Sequence, residues 1–187
     1  MTRNTKEKLS TITVALHWIV GLSIISLIAV GVYMTDYEVY ALYPIHKSVG
    51  MLLFLVIVLR VIWRLKQGWP APASTYKAWE QRLSRIVHWV LIIATVTLPI
   101  SGMLMSGLGG YGLAIFGWEL LAATPNPDEM GKMIPINGPV AGVAHEVHEI
   151  AGKVIFAAII LHLCGALKHH FVDKDGTLKR MLGKRIN

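Results

Sequence analysis

The sequence predicts an all-α membrane protein, a four-transmembrane-helix bundle with a longer outer loop between helices 3 and 4. Three observations predict it. Of the 187 residues, 54% are hydrophobic and only 16% charged. The mean hydropathy is +0.54, and four apolar stretches of 18 or more residues cover roughly half the chain. Too little length remains for a separate soluble domain, so residues 1–187 read as one integral membrane domain.

The first span is expected at about Ile12 to Tyr33. Arg3, Lys6 and Lys8 precede it, but the apolar run is too long and lacks a small-residue cleavage site, so it reads as an uncleaved span rather than a signal peptide. The second, Ile45 to Trp63, follows a short connection and ends among Arg60, Arg64 and Lys66. A turn containing Trp69-Pro70-Ala71-Pro72 leads to the third span, Ile86 to Met105, where Pro99 and Gly102 are expected to bend or loosen the helix. The long connection Ser106 to Gly142 opens with Gly107, Gly109, Gly110 and Gly112. Its amphipathic patch, Leu113 to Leu121, is expected along the outer membrane surface with Phe116 and Trp118 at headgroup level. The fourth span is expected at about Val143 to Leu167. In hydrocarbon the backbone must satisfy its own hydrogen bonds, so each span is read as a helix.

Lys and Arg give the orientation. Fifteen of the 18 fall in the N-terminal segment, the second connection and the stretch from Lys168 onward. Lys47, Lys132 and Lys153 stand alone on the other side, among Asp36, Glu38, Glu119, Asp128, Glu129, Glu146 and Glu149. This asymmetry puts both termini of a multi-pass membrane protein in the cytoplasm. The formal charge of +7 therefore reflects topology, and no basic stretch interleaved with aromatics suggests nucleic acid as a partner. The single cysteine, Cys164, excludes an intramolecular disulfide, a Cys-based zinc site and an iron–sulfur cluster held by several thiolates. No CxxCH motif is present, which excludes a covalently attached c-type haem.

Six of the eight histidines lie in or beside the spans: His17, His46, His88, His145, His148 and His162. An imidazole in hydrocarbon is costly unless bonded, so each is a functional candidate, with interhelical hydrogen bonding as the plainer alternative. His148 and His162 are 14 residues apart. At ~100° and ~1.5 Å per residue they share one helix face at levels ~21 Å apart. The antiparallel neighbours bring His46 to the outer level and His17 to the inner one. Two imidazole pairs stacked across the bilayer, His46 with His148 and His17 with His162, are what two non-covalent b-type haems require. His88 is an alternative partner for His162 at similar depth. His145, rotated ~100° from the His162 face, is the weaker outer choice and suits the surface. His169 and His170 read as a solvated helix-end pair, or as a proton source or quinone contact. Gly50 and Gly152, each one turn beyond a histidine, suit the wall of a flat macrocycle or close helix packing. Arg60, Arg64 and Lys168 suit positive-inside anchoring, and they also lie where propionates of an inner haem would emerge. Lys47, Lys132 and Lys153 read as ordinary surface charge, or as a local positive funnel on the acidic outer face.

Together these residues resemble the bacterial cytochrome b561 family. The resemblance is carried by His17-Trp18, His46-Lys47-Ser48-Val49-Gly50, Arg60 through Arg64 to Lys66, and Leu98-Pro99-Ile100-Ser101-Gly102. His148-Glu149, His162, His169-His170 and the ending Asp175 to Met181 complete it. It runs from about Thr11 to Arg185 and implies a cytochrome b domain with two haems b, held by His17, His46, His148 and His162. It further implies electron transfer with the quinone pool, with ubiquinone as substrate, and in one relative oxidation of superoxide at the periplasmic face. The alternative function is a haem-bearing membrane anchor subunit that passes electrons for a dehydrogenase or hydrogenase, docked to a periplasmic redox partner. A carrier and an oxidase would share these ligands, so enzyme status is open at this stage.

Overall fold

The computed structural model describes residues 4–186; Arg3, counted above with the N-terminal cations, lies outside the described residues. Four helices dominate: α1 (Thr11–Asp36), α2 (Tyr43–Gln67), α3 (Ala78–Leu108) and α4 (Gly138–Phe171). Each is long and apolar enough to cross a membrane. All four extend beyond the apolar runs that predict them, because their end turns are polar or capped. Ser10 accepts from Thr13 N at the start of α1, and Asn137 accepts from Val140 N ahead of α4. Gly68, at φ 68°, ends α2 with its N–H on Arg64 O. A 3-10 turn, Tyr40–Leu42, joins α1 to α2. α3 continues through Pro99 without a break.

The bundle's centre is a small apolar plug. Val20, Ile24, Leu53, Ile57, Ala94, Leu98 and Ile155 are buried together, one or two from each helix. Ile155 is wholly enclosed and lies seven residues from both His148 and His162. The plug therefore separates two polar levels, one toward the long loop and one toward the chain termini, called here the loop end and the terminal end.

At the loop end the structure departs from expectation. Leu113 to Leu121 is not an irregular stretch but folds into a hairpin of β1 (Leu113–Ile115) and β2 (Trp118–Leu121), with Ile115 opposite Trp118. Phe116 (φ 48°) and Gly117 (φ 90°) both take positive φ, the two-residue turn that suits the twist of a hairpin. The hairpin is seated on the start of α2. Phe116 N donates to Ser48 Oγ at 2.9 Å, and the Ser48 hydroxyl reaches Pro44 O at 2.7 Å and Ala114 O at 3.3 Å. Phe116 and Trp118 remain exposed. Gly112 is required here: it has φ 66°, and a Cβ would come within 2.6 Å of Leu121 O.

The terminal end is closed by the short helix α5 (Thr177–Met181). Arg180, only 5% exposed, donates to Lys6 O at 2.9 Å and Ala71 O at 3.0 Å. Trp18 Nε1 donates to Met181 O at 2.7 Å. These bonds clip the C-terminal segment to the N-terminal segment, α1 and the second connection.

Candidate functional site

At the loop end α2 and α4 bring His46 and His148 together, with ring centroids 6.4 Å apart. Two imidazoles that each reach a shared metal through a nitrogen at about 2 Å would have centroids about 6 Å apart. His148 Nδ1 is 2.9 Å from Leu98 O. A carbonyl only accepts, so Nδ1 carries the proton and Nε2 keeps its lone pair. Ser101 Oγ stands 3.1 Å from the same nitrogen. His46 Nδ1 is buried without a hydrogen-bond partner.

The walls suit a flat group between the helices. A Cβ at Gly102 would come within 3.2 Å of His148 Cε1, and one at Gly31 within 3.4 Å of His46 Cε1, so a glycine backs each ring. Gly50 and Gly152 face open space, which removes the close-packing reading for both. Two apolar openings flank this level. One of about 300 Å³ lies between α1 and α2 beside Leu27, Val30, His46 and Val49. The other, about 250 Å³, lies between α3 and α4 beside Ser101, Leu104, Val143 and Val147. The donor set, the glycine backing and the apolar walls fit a bis-imidazole porphyrin.

At the terminal end His17 and His162 have centroids 6.0 Å apart, and His88 comes within 5.2 Å of His162. His88 Nδ1 lies 2.6 Å from Ser84 O, which leaves its Nε2 free as well. The structure thus brings both expected partners to His162. Arg60 Nη2 stands 3.4 Å from His17 Nδ1, and Arg64 Cζ lies 4.1 Å over the Trp69 ring, whose edge meets His88. Among the described residues neither guanidinium has a carboxylate within 4 Å. Lys168 is different: its ammonium is taken up by Glu80 at 2.8 Å and Asp173 at 3.0 Å, so it does not await an anion.

The remaining candidates separate. His145 is exposed on α4. His169 is not the solvated residue expected. Its Nδ1 lies 2.9 Å from Asp173 and 3.1 Å from Asp175, and its ring packs on Tyr76 at 4.6 Å. Burial works against the Asp175 charge, yet bonds from the Tyr76 hydroxyl (2.6 Å) and Thr177 N (2.8 Å) hold its carboxyl below its usual value. Burial and the Asp175 carboxylate in turn push the Tyr76 phenol up. At the loop end Lys153 pairs with Glu149 and Lys132 with Glu129, so a funnel of three lysines does not form. Lys47 alone of the three has no carboxylate within 4 Å among the described residues; its Nζ reaches Ser106 Oγ at 3.0 Å and Tyr111 O at 3.4 Å. Gly31, Ser101 and the Leu98 carbonyl stand against the candidate imidazoles, at positions to which the sequence alone assigned no part in the site. Depth could have found Gly31, since the loop-end half of α1 must lie beside the start of α2.

The sequence profile of the family described as Prokaryotic cytochrome b561 matches residues 8–184. The chain belongs to the prokaryotic cytochrome b561 family. Cytochrome b561 homolog 2 of Escherichia coli (strain K12) is 33% identical over 186 residues, covering 97% of this chain and 94% of the relative. Cytochrome b561 homolog 1 of the same strain is 24% identical over 140 residues, 75% of this chain and 74% of its own length. A Yersinia pestis protein named Probable superoxide oxidase CybB is 26% identical over 183 residues, covering 96% of this chain and 98% of that one. Membership of this family implies electron transfer with b-type haem in a multi-pass membrane protein.

Proposed function

We propose that this cytochrome b561 holds two non-covalent haems, one between His46 and His148 and one between His17 and His162, and carries electrons across the inner membrane between a periplasmic donor and the quinone pool. The observation that carries the reading is the pair of imidazole couples, at 6.4 and 6.0 Å, on opposite sides of the Ile155 plug. Each haem, when bound, supplies a one-electron store. The chain does the rest. Leu98 O fixes the tautomer of His148, Gly31 and Gly102 let the Cε1 edges of both loop-end rings come close to a neighbouring helix, and the apolar plug keeps water from linking the two levels.

The same reading puts the terminal end in the cytoplasm, on the charge asymmetry of the segments. Superoxide is the donor this proposal favours, by similarity to the relative that bears the superoxide oxidase name. Lys47, next to His46 and without a carboxylate within 4 Å among the described residues, is the cation that would draw an anion to an otherwise acidic face. A quinone at the terminal end needs protons on reduction, and His169, between two aspartates at the helix end, is the group placed to relay them.

Absorption spectra and haem content of the purified protein test this directly. Two haems per chain are expected, with one lost in His46→Ala, one lost in His17→Ala and both kept in His88→Ala. A colourless protein would overturn the proposal, and loss of a haem in His88→Ala with retention in His17→Ala would reassign the terminal-end site.

A further inference from the structure

The two histidine levels differ in what stands behind the rings. At the loop end, the His148 N–H donates to a backbone carbonyl, Leu98 O, at 2.9 Å. A ligand imidazole that gives up a hydrogen bond in this way becomes a stronger electron donor, which favours the oxidised metal. At the terminal end, the group at the corresponding nitrogen of His17 is a cation, Arg60, at 3.4 Å.

Among the described residues no carboxylate of the chain lies within 4 Å of that charge. The carboxylates of the terminal end are engaged elsewhere: Glu80 and Asp173 by Lys168, Asp175 by Tyr76 and His169, Glu7 by Arg185. Arg64, one turn along, is also without a carboxylate partner among the described residues and faces Trp69. Lys47 is the comparable cation at the loop end, but it points to Ser106 and Tyr111 rather than to an imidazole. Arg60 also lies seven residues before Gln67, the last residue of α2, well inside the apolar span, where screening is weak and its charge is felt strongly by its neighbours. Because His17, His88 and His162 lie within 6.0 Å of one another in turn, the field acts on the site whichever ring partners His162.

We propose that Arg60 is a positioning residue for the electron: its fixed charge beside His17 sets the terminal-end site at a higher reduction potential than the loop-end site, and so gives transfer a downhill direction from loop end to terminal end. A positive charge favours whichever state holds one more electron, and the carbonyl on His148 tips the other site the opposite way. The inference rests on the two-haem reading above and adds to it the residue that sets the direction.

Optical redox titration of the purified two-haem protein reads the effect without any turnover. Arg60→Gln is expected to lower one midpoint and leave the other in place, shifting the sharing of an electron between the sites by about tenfold, or about 59 mV for a one-electron couple. Arg60→Lys should restore most of the shift, which a purely structural role would not. His46→Ala supplies an independent arm: the haem it retains should be the one of higher potential. The inference is overturned by two haems with unmoved midpoints in Arg60→Gln, or by a retained haem of lower potential in His46→Ala. Fewer than two haems in the unaltered protein would instead sink the reading on which it rests, before any titration begins.

Discussion

Gly102→Ala tests whether His148 is held in place by what stands behind it. The added Cβ would come within 3.2 Å of His148 Cε1 and 3.3 Å of Nδ1, a few tenths of an ångström inside ordinary contact. The ring cannot simply swing away, because its Nδ1–H is bonded to Leu98 O at 2.9 Å and flanked by Ser101. Moving it weakens a hydrogen bond worth about 1 kcal/mol and pushes χ angles off a minimum at about 0.5–1.5 kcal/mol. A loss of about 1–2 kcal/mol corresponds to roughly 5- to 30-fold weaker haem binding at the loop-end site. Gly31→Ala provides the comparison: its Cβ would meet His46 Cε1 at 3.4 Å, the edge of ordinary contact, and the His46 Nδ1 has no bond to break. Both variants gain the same helix propensity of about 1 kcal/mol, so that term cancels between them. Haem titration of the apo-protein, followed by absorption, measures the affinity of each site. Equal affinities in the two variants, or a larger loss in Gly31→Ala, would refute the reasoning.

Lys47→Gln should slow consumption of superoxide by the haem-loaded protein and flatten its dependence on salt, whereas Lys153→Gln, whose ammonium Glu149 already neutralises, should change neither. Stopped-flow rates at two ionic strengths check this, and equal effects of the two substitutions would count against a role for Lys47. The clip at the terminal end should lose stability at both extremes of pH. Asp175 is held below its ordinary 3.8, so its bonds stabilise the clip above that pH and disappear as acid titrates the carboxyl through its lowered value. Tyr76 is held above its ordinary 10.0, so the bond from its neutral hydroxyl is fully present below that pH and is lost as base titrates the raised phenol. Proteolysis of the C-terminal segment against pH measures both limbs; in Tyr76→Phe the bond is gone, at about 1.5–3 kcal/mol, and the alkaline limb should vanish.

How far the sequence could be read follows from what each feature depends on. The four helices were legible because an apolar run of that length in lipid has one way to satisfy its backbone, and their polar end turns were not, because hydropathy sees only the apolar zone. The hairpin at Leu113 to Leu121 escaped because its turn is Phe116-Gly117, and phenylalanine at φ 48° is not a turn signal; what holds it there is Ser48, more than 60 residues away in the chain. The meeting of His46 with His148 and of His17 with His162 could be drawn from helical spacing and antiparallel depth, and depth could also have set Gly31 of α1 beside His46, whereas Gly102 behind His148 needed the packing of α3 on α4. Charge shows the same limit. Lys153 with Glu149 is an i,i+4 pair that sequence rules can find, but Lys168 with Glu80 spans 88 residues. Counting cations by segment gives an orientation; it does not tell which of them are left without a counter-charge. Only the fold shows Arg60, Arg64 and Lys47 unpaired among the described residues, each on α2, and each beside a histidine level, where an uncompensated charge can act on an electron or an anion and a neutralised one would not.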